Sequence, residues 1–145
     1  SVPPSWPFES GMTDQMAADM CWAQVLDIFQ TVSQADCGAD TTYIGETGYN
    51  TGCPMSMDES THLAVAPLFI DKAVNWTCMQ SLGTFLFAFA DACPMGGCKA
   101  GCSSSDTLAG NGYFGLFYTE GYDTNGTLMP KYSPLPDLTC DSPGL

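Results

Sequence analysis

The first strong pattern along the chain is an apolar stripe that follows Thr13. Apolar residues recur there every three or four positions, which is the spacing that puts them on one face of an α-helix. The stripe consists of Ala17, Cys21, Val25, Ile28 and Val32. Thr13 or Ser10 can cap the first turn, and Gly38 is available to end the helix. We therefore predict a helix from about residue 13 to about Gln34.

A second helical pattern begins at Ser56, where Ser56 and Glu59 have the spacing of a capping box. Pro67 either kinks this helix or begins a new one, and the apolar pattern then continues to about Ala92. The apolar positions after Pro67 are Leu68, Ala73, Val74, Cys78, Leu82, Phe85, Leu86 and Phe89. The pattern thus predicts three helical segments in all.

The segment from Phe85 to Ala90 is apolar at every position and contains Phe85, Phe87 and Phe89. A helix that is apolar all round has no face suited to water. We therefore expect these three phenylalanines to lie in the centre of the fold or against another subunit.

Proline, glycine and cysteine mark the parts of the chain that are not helical. Residues 1–9 carry three prolines and are predicted to form an extended arm, with Trp6 and Phe8 as apolar anchors. Residues 37–54 are predicted to form a long loop tied at its ends by Cys37 and Cys53. The cysteine- and glycine-rich stretch 93–102 is predicted to be a stapled turn.

The C-terminal part of the chain has strand character. Residues 113–119 are rich in aromatic residues, and Asn125-Gly126 is a favoured tight-turn dipeptide before residues 127–129. A β-hairpin is predicted there. The tail 130–145 contains four prolines and is expected to be anchored to the body by Cys140.

Length and composition place these elements in one domain. The chain of 145 residues and 15.4 kDa is long enough for a single domain, 1–145, with a sizeable core. The predicted fold class is α+β and mainly helical. With three Lys, no Arg and a net charge of −13, the chain is poorly suited to bind nucleic acid or an anionic membrane surface. No stretch reaches 18 apolar residues, so we expect no membrane insertion.

Cysteine usage and glycosylation sequons indicate an extracellular protein. The cysteines are Cys21, Cys37, Cys53, Cys78, Cys93, Cys98, Cys102 and Cys140. An even number spread along a small chain predicts four disulfides, whose pairing the sequence leaves open. Asn75 and Asn125 each begin an Asn-x-Thr sequon and are predicted to carry N-linked glycans. Because the chain starts without signal-peptide features, we expect Ser1 to begin a mature, secreted protein.

Catalytic candidates are sparse. The single histidine, His62, follows Asp58 by four residues on the second predicted helix, so the two could pair on one face. No nucleophile motif accompanies them, and a surface histidine beside a helical neighbour is the favoured interpretation. The 16 acidic residues leave a glycosidase-like carboxylate pair open, but nothing singles one out. No catalytic residue is assigned.

Metal binding has one suggestive pattern. Met12, Met16 and Met20 recur at helical spacing, and Met55, Met57 and His62 are near one another in sequence. Thioether and imidazole groups favour copper(I), although such a methionine stripe is more often core packing or an adaptable contact surface. Residues 123–126 begin like a calcium loop, but Leu128 stands where that loop needs glycine. We predict no resident metal or cofactor.

The low charge content favours function through the protein surface. Only 13% of the residues are charged, where about 25% is usual. A surface so poor in charge needs glycan cover or protein partners, which can be copies of itself. The favoured function is thus a self-assembling subunit of an extracellular filament, coat or matrix. Trp6, Phe8, Phe85, Phe87 and Phe89 are the candidate interface residues. The alternatives are a diffusible ligand such as a pheromone or effector, and a small secreted hydrolase.

Overall fold

A computed structural model describes residues 11–35, 43–51, 59–80, 84–86, 114–122 and 128–140. The described elements are two long helices and two small sheets, which is the mixed, mainly helical α+β architecture expected. The elements in chain order are α1 (Asp14–Ala35), β1 (Glu46–Thr47), α2 (Glu59–Cys78), β2 (Phe85–Leu86), β3 (Phe117–Tyr122) and β4 (Leu128–Pro130).

Helix α1 begins where its capping residue predicts. The Met16 amide donates to the Thr13 hydroxyl over 3.2 Å, and the Ala17 amide donates to the Thr13 carbonyl over 3.0 Å. The first bond satisfies an N–H group that a helix start leaves without an intrahelical partner, and the second is the first intrahelical bond of α1. The acidic side chain of Asp14 in the first turn also suits the positive end of the helix dipole.

Helix α2 runs without interruption through Pro67. The residue lacks an amide proton and so removes one helical hydrogen bond, which is why a kink or a new helix was expected there. In the structure no new helix begins at this position. Packing of Val65, Ala66, Phe69 and Ile70, on either side of the proline, holds the helix together, since all four are buried.

The C-terminal end of α2 corrects the sequence prediction. The helix ends at Cys78 rather than near Ala92, and a tight turn follows in which the amides of Met79 and Gln80 donate to the carbonyls of Trp76 and Thr77. Phe85 and Leu86 then form β2 instead of helix. A short, wholly apolar run has no periodicity to separate helix from buried strand, and its aromatic residues favour the strand. Phe87 and Phe89 lie outside the described residues.

Two small sheets complete the described fold. Strands β1 and β2 are parallel, with Glu46 opposite Phe85 and Thr47 opposite Leu86. The first of these strands lies in the segment predicted to be loop. Strands β3 and β4 are antiparallel with an irregular register, which confirms the predicted C-terminal hairpin. The Asn125-Gly126 turn itself lies outside the described residues.

The core forms where α1 packs on α2. The Trp22 ring meets Phe69 and Trp76 edge-on, with centroids 5.7 and 6.0 Å apart, and Phe29 meets Trp76 at 5.1 Å. Edge-to-face contacts of this kind add about 0.5–1.5 kcal/mol each beyond the area they bury. The buried apolar residues of the core are Ala17, Ala18, Cys21, Trp22, Ile44, Tyr49, Val65, Ala66, Phe69, Ile70, Ala73 and Tyr132.

The apolar stripe predicted for α1 is only partly the buried face. Ala17 and Cys21 are buried and Val25 is half-buried, but Ile28 and Val32 are 57% and 43% exposed. In the second half of the helix the inner face is instead formed by residues such as Phe29, which reaches Trp76 of α2. The prediction was wrong there because apolar residues follow two different rows along α1, and spacing alone did not separate them.

The three cysteines among the described residues are in two different states. A disulfide joins Cys78, the last residue of α2, to Cys140 in the C-terminal tail. Closing a loop with a sequence separation of 62 stabilises the fold by about 4 kcal/mol in the chain-entropy treatment. The expectation of a bridge at Cys21 is corrected, since its thiol is free and buried in the core. The other predicted disulfide cysteines lie outside the described residues, namely Cys37, Cys53, Cys93, Cys98 and Cys102.

Candidate functional site

The single histidine is a core residue. The side chain of His62 is fully buried, and its Nδ1 atom lies 3.2 Å from the Tyr49 hydroxyl. The interpretation of His62 as a surface residue was therefore wrong. Asp58, its predicted helical neighbour, lies outside the described residues. A histidine closed off from solvent in this way has no access to a substrate.

The core that contains the Tyr49–His62 pair also contains other polar side chains. Thr51, Tyr132 and Cys21 are also buried, at 1%, 4% and 4% exposure. Burial strongly raises the pKa of the Tyr49 phenol, and the nearby Cys21, Tyr132 and Asp14 add to the rise. Burial also raises the pKa of the Cys21 thiol to about 11. Since the thiolate is the nucleophilic form, this thiol is inert at neutral pH, and the cluster has a structural rather than a nucleophilic character.

A groove lies between α2 and the C-terminal tail. Its volume is about 550 Å³, and Pro67 and Asp71 of α2 face Lys131 and Asp137 of the tail across it. Burial raises the pKa of the Asp71 carboxyl, and the charge of Asp137 raises it further. The hydrogen bonds that Thr139 donates to Asp137 lower the pKa of that carboxyl. The groove thus brings two carboxyl groups into electrostatic contact and holds them in different environments.

Lys131 forms part of the wall of this groove. Its side chain is 7% exposed, and its Nζ atom lies 5.8 Å from the centre of the Tyr118 ring. The Lys131 amide donates to the Leu116 carbonyl over 2.9 Å, which extends the pairing of the C-terminal hairpin. Lys131 therefore links the hairpin to the tail and is not a freely available surface cation.

Helix α1 carries a row of mostly apolar side chains on its surface. It consists of every fourth residue from 16 to 32, namely Met16, Met20, Gln24, Ile28 and Val32, and we call it the α1 ridge. The four apolar members are 37–57% exposed, and Gln24, the one polar member, is half-buried. Residues four apart form a continuous ridge on a helix surface, the kind of ridge that fits the grooves of another helix. The α1 ridge thus has the form of a helix-contact surface, and its apolar members remain exposed in the single chain.

The ridge also bears on the copper hypothesis. Met16 and Met20 belong to it, whereas Met12 is half-buried and packs against the core. The other members of the ridge, Gln24, Ile28 and Val32, carry neither a thioether nor an imidazole. The described residues contain no group of three or more His, Cys, Asp or Glu side chains that could hold a metal. Met55 and Met57 lie outside them. Met12 therefore does not lie on the surface that Met16 and Met20 share.

The first sequon lies on the outer side of α2. The Asn75 side chain is exposed, while the neighbouring Trp76 turns inward against Trp22 and Phe29. An asparagine in this position can carry a glycan without disturbing the core. The second sequon asparagine, Asn125, lies outside the described residues.

The predicted interface residues are not brought together within the described fold. Phe85 lies in β2, and Trp6, Phe8, Phe87 and Phe89 lie outside the described residues. Sequence reasoning missed the α1 ridge because it assigned Ile28 and Val32 to the core stripe. The four-residue repeat from Met16 to Val32 is the sequence signal that could have separated the ridge from the inner face.

No protein-family model, no curated protein and no solved structure matches the chain. Among the described helices, none is both long and apolar enough to cross a bilayer.

Proposed function

We propose that this chain is a secreted, N-glycosylated and disulfide-stapled protein that works as the self-assembling subunit of an extracellular filament, coat or matrix. The observation that carries the proposal is the α1 ridge, in which four large apolar side chains are 37–57% exposed along one helix. A row of exposed apolar side chains on one helix is a candidate contact surface for a protein partner.

The distribution of positive charge supports the same proposal. Lys72 is paired with Asp19, and Lys131 is 7% exposed. Of the three lysines only Lys99, which lies outside the described residues, has no assigned environment. A surface with so little positive charge offers few of the ionic contacts that soluble monomers display, so apolar contacts are the main means of association.

Secretion is supported by the Cys78–Cys140 disulfide and by the exposed Asn75. Disulfides persist in oxidising compartments, where sequons are also glycosylated. Under this proposal the arm 1–9, through Trp6 and Phe8, and the segment containing Phe85, Phe87 and Phe89 supply further contacts between subunits. These contacts add to the one made by the α1 ridge.

The test is expression of the full chain behind a secretory signal peptide in a eukaryotic host, followed by negative-stain microscopy and native electrophoresis of the medium. The proposal predicts regular particles larger than one chain, and a mass on Asn75 that glycosidase removes. The Asn75→Gln variant should lose that mass. A glycosylated chain that stays monomeric would favour a diffusible ligand, and an unglycosylated chain retained in the cell would contradict secretion.

A further inference from the structure

Residues 133–140, which we call the strap, form the end of the described C-terminal tail. Residues 133–137 of the strap line one wall of the groove, and α2 between Leu63 and Asp71 lines the other. The strap ends at Cys140, whose disulfide partner is Cys78, the last residue of α2. It is therefore joined covalently to the rest of the protein at both ends, by the chain at residue 133 and by the disulfide at Cys140.

The noncovalent contacts that hold the strap are few. Seven of its eight residues are exposed, and Pro136 is half-buried. Leu135 and Leu138 remain 40% and 47% exposed, so the strap buries little apolar surface. Among the described residues, its hydrogen bonds are those that Thr139 donates to Asp137 within the strap itself. A segment with so little buried surface and no hydrogen bond to the body has low local stability.

Two like charges also oppose the closed position of the strap. Asp71 on α2 and Asp137 on the strap line the same groove. Burial raises the pKa of the Asp71 carboxyl, and the charge of Asp137 raises it further. A carboxylate that raises the pKa of its neighbour repels the ionised form of that neighbour. At neutral pH this repulsion favours movement of the strap away from α2.

The residues just before the strap are attached much more firmly. Strand β4 pairs with β3, and the Lys131 amide donates to the Leu116 carbonyl over 2.9 Å. Lys131 and Tyr132 are 7% and 4% exposed. Tyr132 belongs to the core of buried apolar residues, whereas no residue of the strap does. Movement of the strap about residue 133 would therefore leave the core and the C-terminal hairpin in place.

The disulfide that closes the strap is accessible to thiols in solution. Cys78 and Cys140 are both exposed, whereas Cys21 is 4% exposed. Thiol–disulfide exchange requires an attacking thiolate to reach a sulfur atom of the bridge, and exposed disulfides are accordingly the labile ones. The bridge can thus be attacked while the protein is folded.

We infer that the Cys78–Cys140 disulfide is a redox-sensitive latch, whose reduction frees the strap from α2 and opens the groove while the helical core stays folded. Opening exposes the side of α2 that carries Leu63 and Pro67, which are half-buried in the closed state. Oxidation of the two thiols closes the groove again. The inference holds whether or not the chain assembles with itself.

A dithiol is the reductant that completes this reaction. Its first thiolate attacks one sulfur of the bridge and forms a mixed disulfide, and the other cysteine leaves as a thiolate. Its second thiolate then attacks the mixed disulfide and releases the remaining cysteine. The dithiol has lost two electrons and becomes a cyclic disulfide, and both cysteines take up protons to become thiols.

The first test reduces the native chain with dithiothreitol at pH 8 without denaturant. Aliquots are alkylated briefly with excess iodoacetamide, and the labelled cysteines are identified by peptide mass mapping. Cys21 is the internal control, because its buried thiol reports whether the core has opened. We expect labelling of Cys78 and Cys140 to be about tenfold faster than labelling of Cys21, or more. Equal rates for all three, or no labelling of Cys78 and Cys140, would overturn the latch.

The second test removes this bridge alone, in the double variant Cys78→Ser with Cys140→Ser. Backbone ¹⁵N relaxation then measures the order of the strap amides relative to those of α2. We expect order parameters in the strap to fall from about 0.85 to below about 0.6, while those of α1 and α2 stay unchanged. A strap as ordered as α2 would show that noncovalent contacts hold it, which overturns the latch. So would loss of the helical circular dichroism, because the latch requires a core that is stable without the bridge.

The third test reads the groove itself through Asp71. In the double variant the carboxyl of Asp71 loses both the cover of the strap and the nearby charge of Asp137, so its pKa should fall toward the ordinary value. Carboxyl carbon shifts across an acid titration measure this pKa. An Asp71 pKa that equals that of the native chain would mean that the groove has not opened.

These outcomes are independent of the proposed function, because each is measured on a single chain. A native chain that stays monomeric overturns self-assembly and leaves the latch standing. A strap that stays ordered without its disulfide overturns the latch and leaves self-assembly standing.

Discussion

The Tyr49 hydroxyl lies 3.2 Å from the Nδ1 atom of His62 in the core of the protein. Tyr49 belongs to the segment 43–51, and His62 lies in the first turns of α2, so this hydrogen bond ties an otherwise irregular segment to the helical core. The Tyr49 ring also packs against Phe69, with centroids 5.5 Å apart. Tyr49 is therefore held in the core by a hydrogen bond to His62 and by an aromatic contact with Phe69.

Removing the Tyr49 hydroxyl should destabilise the fold. Tyr49→Phe keeps the ring and its contact with Phe69 but takes a hydrogen-bond partner from a buried imidazole, at a cost of about 1–3 kcal/mol. Urea denaturation followed by tryptophan fluorescence measures this cost. The matched control is Tyr43→Phe, because Tyr43 is 59% exposed and should change the free energy of unfolding by less than about 0.5 kcal/mol. Equal stabilities for the two variants would contradict a structural role of the pair.

The free thiol of Cys21 should react only when the protein unfolds. Because the side chain is 4% exposed and its thiol is protonated at neutral pH, iodoacetamide at pH 8 should leave Cys21 unmodified in the native protein. In denaturant without reductant, peptide mass mapping should find Cys21 alkylated and Cys78 still linked to Cys140. Cys21 resistant to alkylation in denaturant would mean that it is in a disulfide, contrary to the structure.

The same thiol makes the fold sensitive to alkali. The unfolded thiol ionises near its ordinary pKa of 9.0, whereas burial raises the pKa of the folded thiol to about 11. The stabilisation is therefore fully present below pH 9 and is lost as the pH rises to about 11, by up to about 3 kcal/mol. Cys21→Ala should remove this part of the decline in the free energy of unfolding. An unchanged decline in the variant would assign the alkaline sensitivity to other groups.

The charge of Asp137 should help to raise the pKa of Asp71 across the groove between α2 and the tail. Asp137→Asn keeps an oxygen that can accept from Thr139 but removes the charge that helps to raise the pKa of Asp71. The pKa of Asp71 should then fall toward its ordinary value, although burial still holds it above. Carboxyl carbon shifts followed by NMR across an acid titration give this pKa directly. An exposed control, Asp27→Asn, should leave Asp71 unchanged.

The elements that local rules determine could be predicted from the sequence. Thr13 caps α1 as expected, because the cap depends only on a side chain and the amides that follow it. The C-terminal hairpin was predictable for a similar reason, since strand composition and its turn dipeptide are close together in the chain. Local signals of this kind do not depend on how the rest of the chain packs.

Contacts between distant parts of the chain determine the features that the local sequence pattern did not predict. α2 continues through Pro67 because buried neighbours offset the missing hydrogen bond. Phe85 lies in a strand because it pairs with Glu46, a partner far away in the chain that periodicity cannot reveal. His62 is buried for a comparable reason, since the residue that accommodates it, Tyr49, belongs to a separate segment. The sequence did not reveal the α1 ridge, because Ile28 and Val32 also fit the spacing of the buried face of α1.

The central claim is that this chain assembles with itself, and the most direct test is the mass of the native glycoprotein by light scattering as concentration and salt increase. With a net charge of −13 on each chain, added salt should screen the repulsion and increase association. The account predicts a mass that rises with concentration to several times that of one glycosylated chain of 15.4 kDa polypeptide. A mass that stays at one chain under every condition would contradict it.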